Sequence, residues 1–138
     1  MKKLLFLILV LPMFFATGCG SNESNEPDSN PILGKPIKIE TLEIAQNDFP
    51  NDMNWEKAKI ACEKLGKGWR LPTIAELEFM YKNKDKIGGF KKAVYWSSTE
   101  GSGYAWGFYF GGGGARAKGD KGSALKGTIG YVRAVRTF

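Results

Sequence analysis

The sequence predicts an α+β domain, and three observations carry that prediction. Apolar and polar residues alternate at Ile37–Ala45 and again at Gly130–Arg136, the signature of half-buried strands. Two segments between them combine a capping residue with apolar residues at helical spacing. After Gly88-Gly89 the chain turns aromatic and strand-prone, with Val94–Thr99 and Tyr104–Phe110.

The elements follow in order. Ile37 to Ala45 alternates with one slip and reads as a single opening strand. Asn47 to Met53 is a turn-rich connection. Asn54 can cap a helix beginning at Trp55, with Ala58, Ala61, Cys62 and Leu65 on one face and Gly66 as the stop. Cys62 there reads as a small buried apolar residue. Thr73-Ile74-Ala75-Glu76 is a capping box that opens a second helix running to about Lys84, with Leu77, Met80 and Tyr81 inward. Two aromatic strands follow. Gly111 to Gly127 reads as long loops or a mobile hairpin, and Gly130 to Arg136 as a closing strand that can pair with the opening one.

The first thirty residues have a different character. Lys2-Lys3, an apolar run from Leu4 to Phe15 and the small residues Ala16-Thr17-Gly18 describe a secretory signal over residues 1–18. That run is shorter than the roughly 20 apolar residues of a spanning helix. Cys19 directly after the small residues resembles a bacterial lipobox, with Ala16 where leucine is commoner. Such a match implies that Cys19 is acylated and tethers the chain to a membrane, the outer membrane if the cell has one. Residues 19–31 carry almost nothing to bury and read as a flexible linker.

About 107 residues remain, Ile32 to Phe138, enough for one domain with one core. The chain has no histidine, which removes histidine-based triads and imidazole zinc sites. With Cys19 acylated, Cys62 is the remaining thiol, so neither an internal disulfide nor a cysteine metal cluster is available. No cofactor is implied. From Lys82 to Phe138 there are eleven basic and three acidic residues, a balance that favours anionic partners.

Several short segments then fall into a pattern: Trp55 to Ala58, Gly68-Trp69-Arg70-Leu71-Pro72-Thr73, Glu76-Leu77, Tyr95-Trp96-Ser97-Ser98-Thr99, Ala105-Trp106 and Val132-Arg133-Ala134-Val135-Arg136. Over roughly residues 37–136 the chain resembles the domain at the C-terminus of the Legionella collagen-like adhesin, which is similar to the Fibrobacter major paralogous domain. The resemblance implies a C-type-lectin-like fold related to the formylglycine-generating superfamily: two helices flanking a small twisted antiparallel sheet, with long C-terminal loops. It also implies binding of sulfated polysaccharide, which suits the basic half of this chain. Members often carry a cysteine where this chain has Ala134, able to bridge to the cysteine of the first helix.

Trp69, Trp96, Arg70 and Arg133 are expected to build the structure, the arginines pairing with buried carboxylates or carbonyls. The hydroxyls of Ser97, Ser98 and Thr99 are expected to satisfy backbone groups. Recognition is expected in the stretch 100–127. There Tyr104 and Tyr109 offer flat faces to sugar rings, and Arg116, Lys118, Lys121 and Lys126 offer charge to sulfate or phosphate. Trp106, Phe108 and Phe110 are expected to face the core. The resulting reading is a lipid-anchored, non-enzymatic binding module of the cell envelope for an anionic glycan or a protein, with nucleic acid not expected. A receptor diversified by a retroelement is the alternative, and an enzyme of the formylglycine-generating type a remoter one, since it needs reactive cysteines and a metal.

Overall fold

The computed structural model describes residues 30–112 and 119–138. The signal segment and Cys19 lie outside the described residues, as does most of the linker.

The opening segment is a hairpin, not one strand. β1 (Ile37–Ile39) pairs antiparallel with β2 (Leu42–Ile44), and Ile39 stands opposite Leu42, leaving Glu40 and Thr41 as the turn. Glu40 takes a φ of 54°, the left-handed region that a tight hairpin turn demands. The slip in the alternation marks this reversal.

Helix α1 (Trp55–Glu63) starts where Asn54 caps it, its Oδ1 accepting the Lys57 amide at 3.0 Å, and it buries Trp55, Ala58 and Cys62. Helix α2 (Ile74–Lys82) carries the full capping box between Thr73 and Glu76 and buries Leu77 and Met80. It stops at Lys82, and a short α3 (Lys84–Ile87) follows.

β3 (Val94–Glu100), β4 (Tyr104–Tyr109) and β5 (Asp120–Leu125) form an antiparallel sheet in that order. Of the two readings of 111–127, long loops or a mobile hairpin, β5 supports the hairpin: Asp120–Leu125 pairs with β4. Its sequence, Asp-Lys-Gly-Ser-Ala-Leu, lacks β-branched and aromatic residues, so nothing in it advertises a strand. The closing strand shrinks to β6 (Val135–Thr137), which pairs with β2 and completes a second sheet in the order β1-β2-β6. The residues before it run through the core instead: Val132, Arg133 and Ala134 are all buried.

The helices lie on opposite faces of the β3-β4-β5 sheet. Strand alternation and register put Trp96, Ala105 and Ala124 on one face, and these pack with Trp55, Ala58 and Cys62 of α1. Tyr95 and Phe108 take the other face, against Leu77 and Met80 of α2. Cys62 and Ala134 belong to the same buried cluster. Burial first, and then the neighbouring Glu63 charge, push the Cys62 thiol up to about 12.

Arg133 is completely buried. Its Nε donates to Asp48 at 2.6 Å, and its Nη1 reaches the carbonyls of Ala45, Gln46 and Gly88. Tyr95 donates its hydroxyl to the other Asp48 oxygen at 2.6 Å. Removing one member of a buried charge pair strands the other. Arg133→Met is therefore expected to cost about 3–5 kcal/mol, read as a lower urea midpoint.

Arg70 grips Glu76 with two bonds of 2.8 Å. Burial pushes the Glu76 carboxyl upward, but the bonds from Arg70, the Thr73 amide and the Thr73 hydroxyl outweigh it and hold the carboxyl below its usual range. The stability this adds is present above the unfolded carboxylate value of about 4.3 and is lost as pH falls through the lower folded value. Glu76→Gln should flatten the acid-side loss of stability below about pH 4.3, measured as thermal midpoint against pH.

Candidate functional site

The structural roles expected of Trp69, Trp96, Arg133, Ser97 and Thr99 hold, whereas Ser98 is exposed and Arg70 pairs with the half-buried Glu76. Trp69 and Trp96 are buried, and the Trp96 indole donates to the Met53 carbonyl at 2.9 Å. Ser97 donates its hydroxyl to the Trp106 carbonyl at 2.7 Å, and the Thr99 hydroxyl accepts the Ile74 amide at 3.2 Å. These groups hold β3 to β4 and to α2. Phe108 and Phe110 are buried, while Trp106 is only half-buried.

The residues expected to bind ligand do not converge on one surface. Tyr109 lies on the α1 side of the sheet. Lys121 is paired with Phe108 and lies on the α2 side. Tyr104 is exposed at the far end of β4, about 17 Å along the strand from Tyr109, on the same side as Lys121. Lys126 is engaged by its own neighbours: it pairs with Glu100, lies 3.9 Å from Glu56, and sits 4.4 Å above the Trp55 ring. Arg116 and Lys118 lie outside the described residues.

A concave surface forms where α1 leaves the sheet uncovered. Val94, Trp96, Gly107, Tyr109, Gly122 and Ala124 line a groove of about 230 Å³, with Asp120, Lys121 and Ser123 also at its margin. Its floor is low because the paired positions on two neighbouring strands, Gly107 and Gly122, are both glycine. The two glycines have different causes. A Cβ on Gly107 would lie 2.7 Å from Val94 Cγ1 and 2.9 Å from the Tyr95 carbonyl oxygen, so packing excludes a side chain there. Among the described residues, a Cβ on Gly122 would meet no atom within 4 Å, and its φ is not left-handed. Glycine there leaves the groove floor open, at the cost of weakening a strand interior. Sequence reasoning found Tyr109 and missed this groove, because pairing Gly107 with Gly122 requires knowing that β5 exists.

The groove offers an aromatic wall, a flat apolar floor and a few polar groups at the rim, an arrangement suited to a ring or an extended chain. Among the described residues, no group of three or more acidic or cysteine side chains could hold a metal ion, and no helix is long and apolar enough to cross a membrane.

The two glycines separate packing from function in a direct way. Gly107→Ala should cost about 1–3 kcal/mol by overpacking. Gly122→Ala should leave stability unchanged or raise it by up to about 1 kcal/mol. Urea melts of both variants check the contrast.

No curated protein matches the chain. The family model described as the Lcl C-terminal domain matches residues 35–136, spanning both sheets, all three helices and every residue lining the groove. The chain belongs to the Lcl C-terminal domain family.

Proposed function

We propose that this chain is an adhesin-like binding module with a C-type-lectin-like fold, tethered to the cell envelope through acylated Cys19 and recognising an anionic glycan through residues 100–127. A protein partner on the same region is the alternative. Family membership supports the adhesin-like reading. The observation that carries the binding reading is the open, glycine-floored groove beside Tyr109. A sugar ring can lie over Gly107 and Gly122 against the tyrosine face, the kind of contact in which an aromatic ring contributes area without losing much freedom. Sulfate or carboxylate groups outside the groove suit the charge of Arg116, Lys118 and Lys121, whereas Lys126 is already held between two glutamates.

The test is binding of the chain to sulfated and neutral polysaccharides at low salt and at about 150 mM salt. Selective binding of sulfated chains that survives the higher salt is expected. Tyr109→Ala should weaken it about tenfold, and joint neutralisation of Arg116, Lys118 and Lys121 should weaken it further with little change in melting temperature. Equal losses from neutralising Lys57 and Lys59 on α1 and Lys64 just after it would remove the site assignment. Binding that disappears with salt would reduce the basic excess to solubility.

A further inference from the structure

Among the described residues, the sheet β3-β4-β5 has one sealed edge and one open edge. On the sealed side, Tyr131 donates its amide to the Val94 carbonyl at 2.9 Å and accepts the Trp96 amide at 3.0 Å. On the open side, alternation fixes which backbone groups of β5 are unused. The Lys126 amide donates to the Gly103 carbonyl, and the Phe110 amide turns the other way, to Ala93. Successive residues point in opposite directions, so 120, 122 and 124 address β4 while 121, 123 and 125 point outward. The Leu125 carbonyl accepts the Thr128 amide; among the described residues, the outward amides and carbonyls of Lys121 and Ser123 have no backbone partner.

We propose that this edge accepts an extended segment of a partner protein as a fourth strand, with acidic residues on the segment's α2-side face and a large apolar residue covering Gly122. This goes beyond the glycan reading and does not require it. Two features select the occupant. Lys121 is exposed on the α2 side and has no ion-pair partner among the described residues; in the cavity of about 240 Å³ that it lines, Lys82 is already paired with Glu78 at 3.2 Å and Asp120 stands beside it, so the selecting charge is that of Lys121 alone. A lysine on an edge strand discourages indiscriminate pairing, and the same charge favours an acidic strand. On the opposite face, the missing side chain of Gly122 leaves room for one from the added strand, which would fold over it toward Gly107 and Tyr109. A second copy of β5 fits less well. Antiparallel pairing through Ser123 would set Ala124 opposite Gly122 and leave the groove unfilled.

The probe is the synthetic peptide acetyl-Glu-Val-Glu-Phe-Glu-Val-Glu-amide, titrated against the full chain in detergent micelles. Three comparison peptides replace every Glu by Lys, replace Phe by Ala, or methylate alternate backbone nitrogens. The acidic peptide is expected to bind and to slow exchange of the Lys121 and Ser123 amides about tenfold. The lysine and N-methylated peptides should bind at least about tenfold more weakly. Gly122→Val should keep the melting temperature and lose the advantage of Phe over Ala in the peptide. Ser123→Pro, which removes only an outward amide, should abolish binding; the N-methylated peptide makes the same point without altering the protein. Absence of binding at about 1 mM acidic peptide, equal binding of the N-methylated peptide, or protection confined to amides outside β5 would overturn the proposal. Retained binding of sulfated polysaccharide in such a case would leave the glycan reading standing.

Discussion

The fold depends on one buried ion pair. Arg133 and Asp48 are both inside the protein, at 0% and 7% side-chain exposure, and their groups join segments far apart in sequence. The guanidinium holds the connection after β2 through Ala45 and Gln46, the end of α3 through Gly88, and, through Asp48, the Tyr95 hydroxyl on β3. Tyr95 in turn accepts the Lys91 amide at 2.8 Å. Burial and the adjacent Asp48 charge keep the phenol protonated well above its ordinary range, which preserves it as the donor the network needs. Phe90 packs its ring 4.4 Å from the guanidinium carbon and closes the site from outside. Losing either partner would leave the other charge buried and unpaired, which ties these segments to one another.

That constraint explains why there are two small sheets instead of one. The chain from Tyr131 to Val135 must bring Arg133 to Asp48, so it runs through the core and touches β3 only at Tyr131 before joining β2 as β6. Arg136 then pairs with Glu43 on the neighbouring strand and lies 4.8 Å over the Trp69 ring. The three-residue strands at this end are too short to be stable alone, and the charged contacts and the Arg70–Val135 bridge hold them in register. The β3-β4-β5 sheet is left to carry the open surface.

Local chemistry made much of this legible in the sequence. Asn54 and the Thr73–Glu76 box announced both helices, because a cap is a short-range interaction between a side chain and nearby amides. The structural roles of Arg70, Trp69, Trp96 and Arg133 followed from large or charged groups beside turn formers. Three features were not legible. The β1-β2 turn uses Glu40, a residue with no turn preference, and β5 has a loop-like composition imposed into a strand by β4. The partners of the arginines also escaped notice: Asp48 lies 85 residues from Arg133 in sequence, and no local pattern encodes that distance. The candidate site suffered most from missing β5. Without its register, Tyr104, Tyr109, Lys121 and Lys126 read as one loop surface, whereas strand alternation distributes them over two faces and two ends.

The same register makes an argument from what β5 lacks. A strand selected only to complete a sheet would carry β-branched residues where its side chains are half-covered, and the chain uses such residues freely in β1 and β6. At Gly122 it forgoes that stabilisation although space is available, next to Gly107, where space is not. On one side of this position lies a groove with an aromatic wall. On the other lies a backbone edge whose counterpart, at β3, is sealed by Tyr131. A packed core accounts for Gly107, Ala105 and Ala124 but leaves Gly122 unexplained. The proposed occupants, a sugar ring or a side chain of an added strand, would use the space that is open there among the described residues.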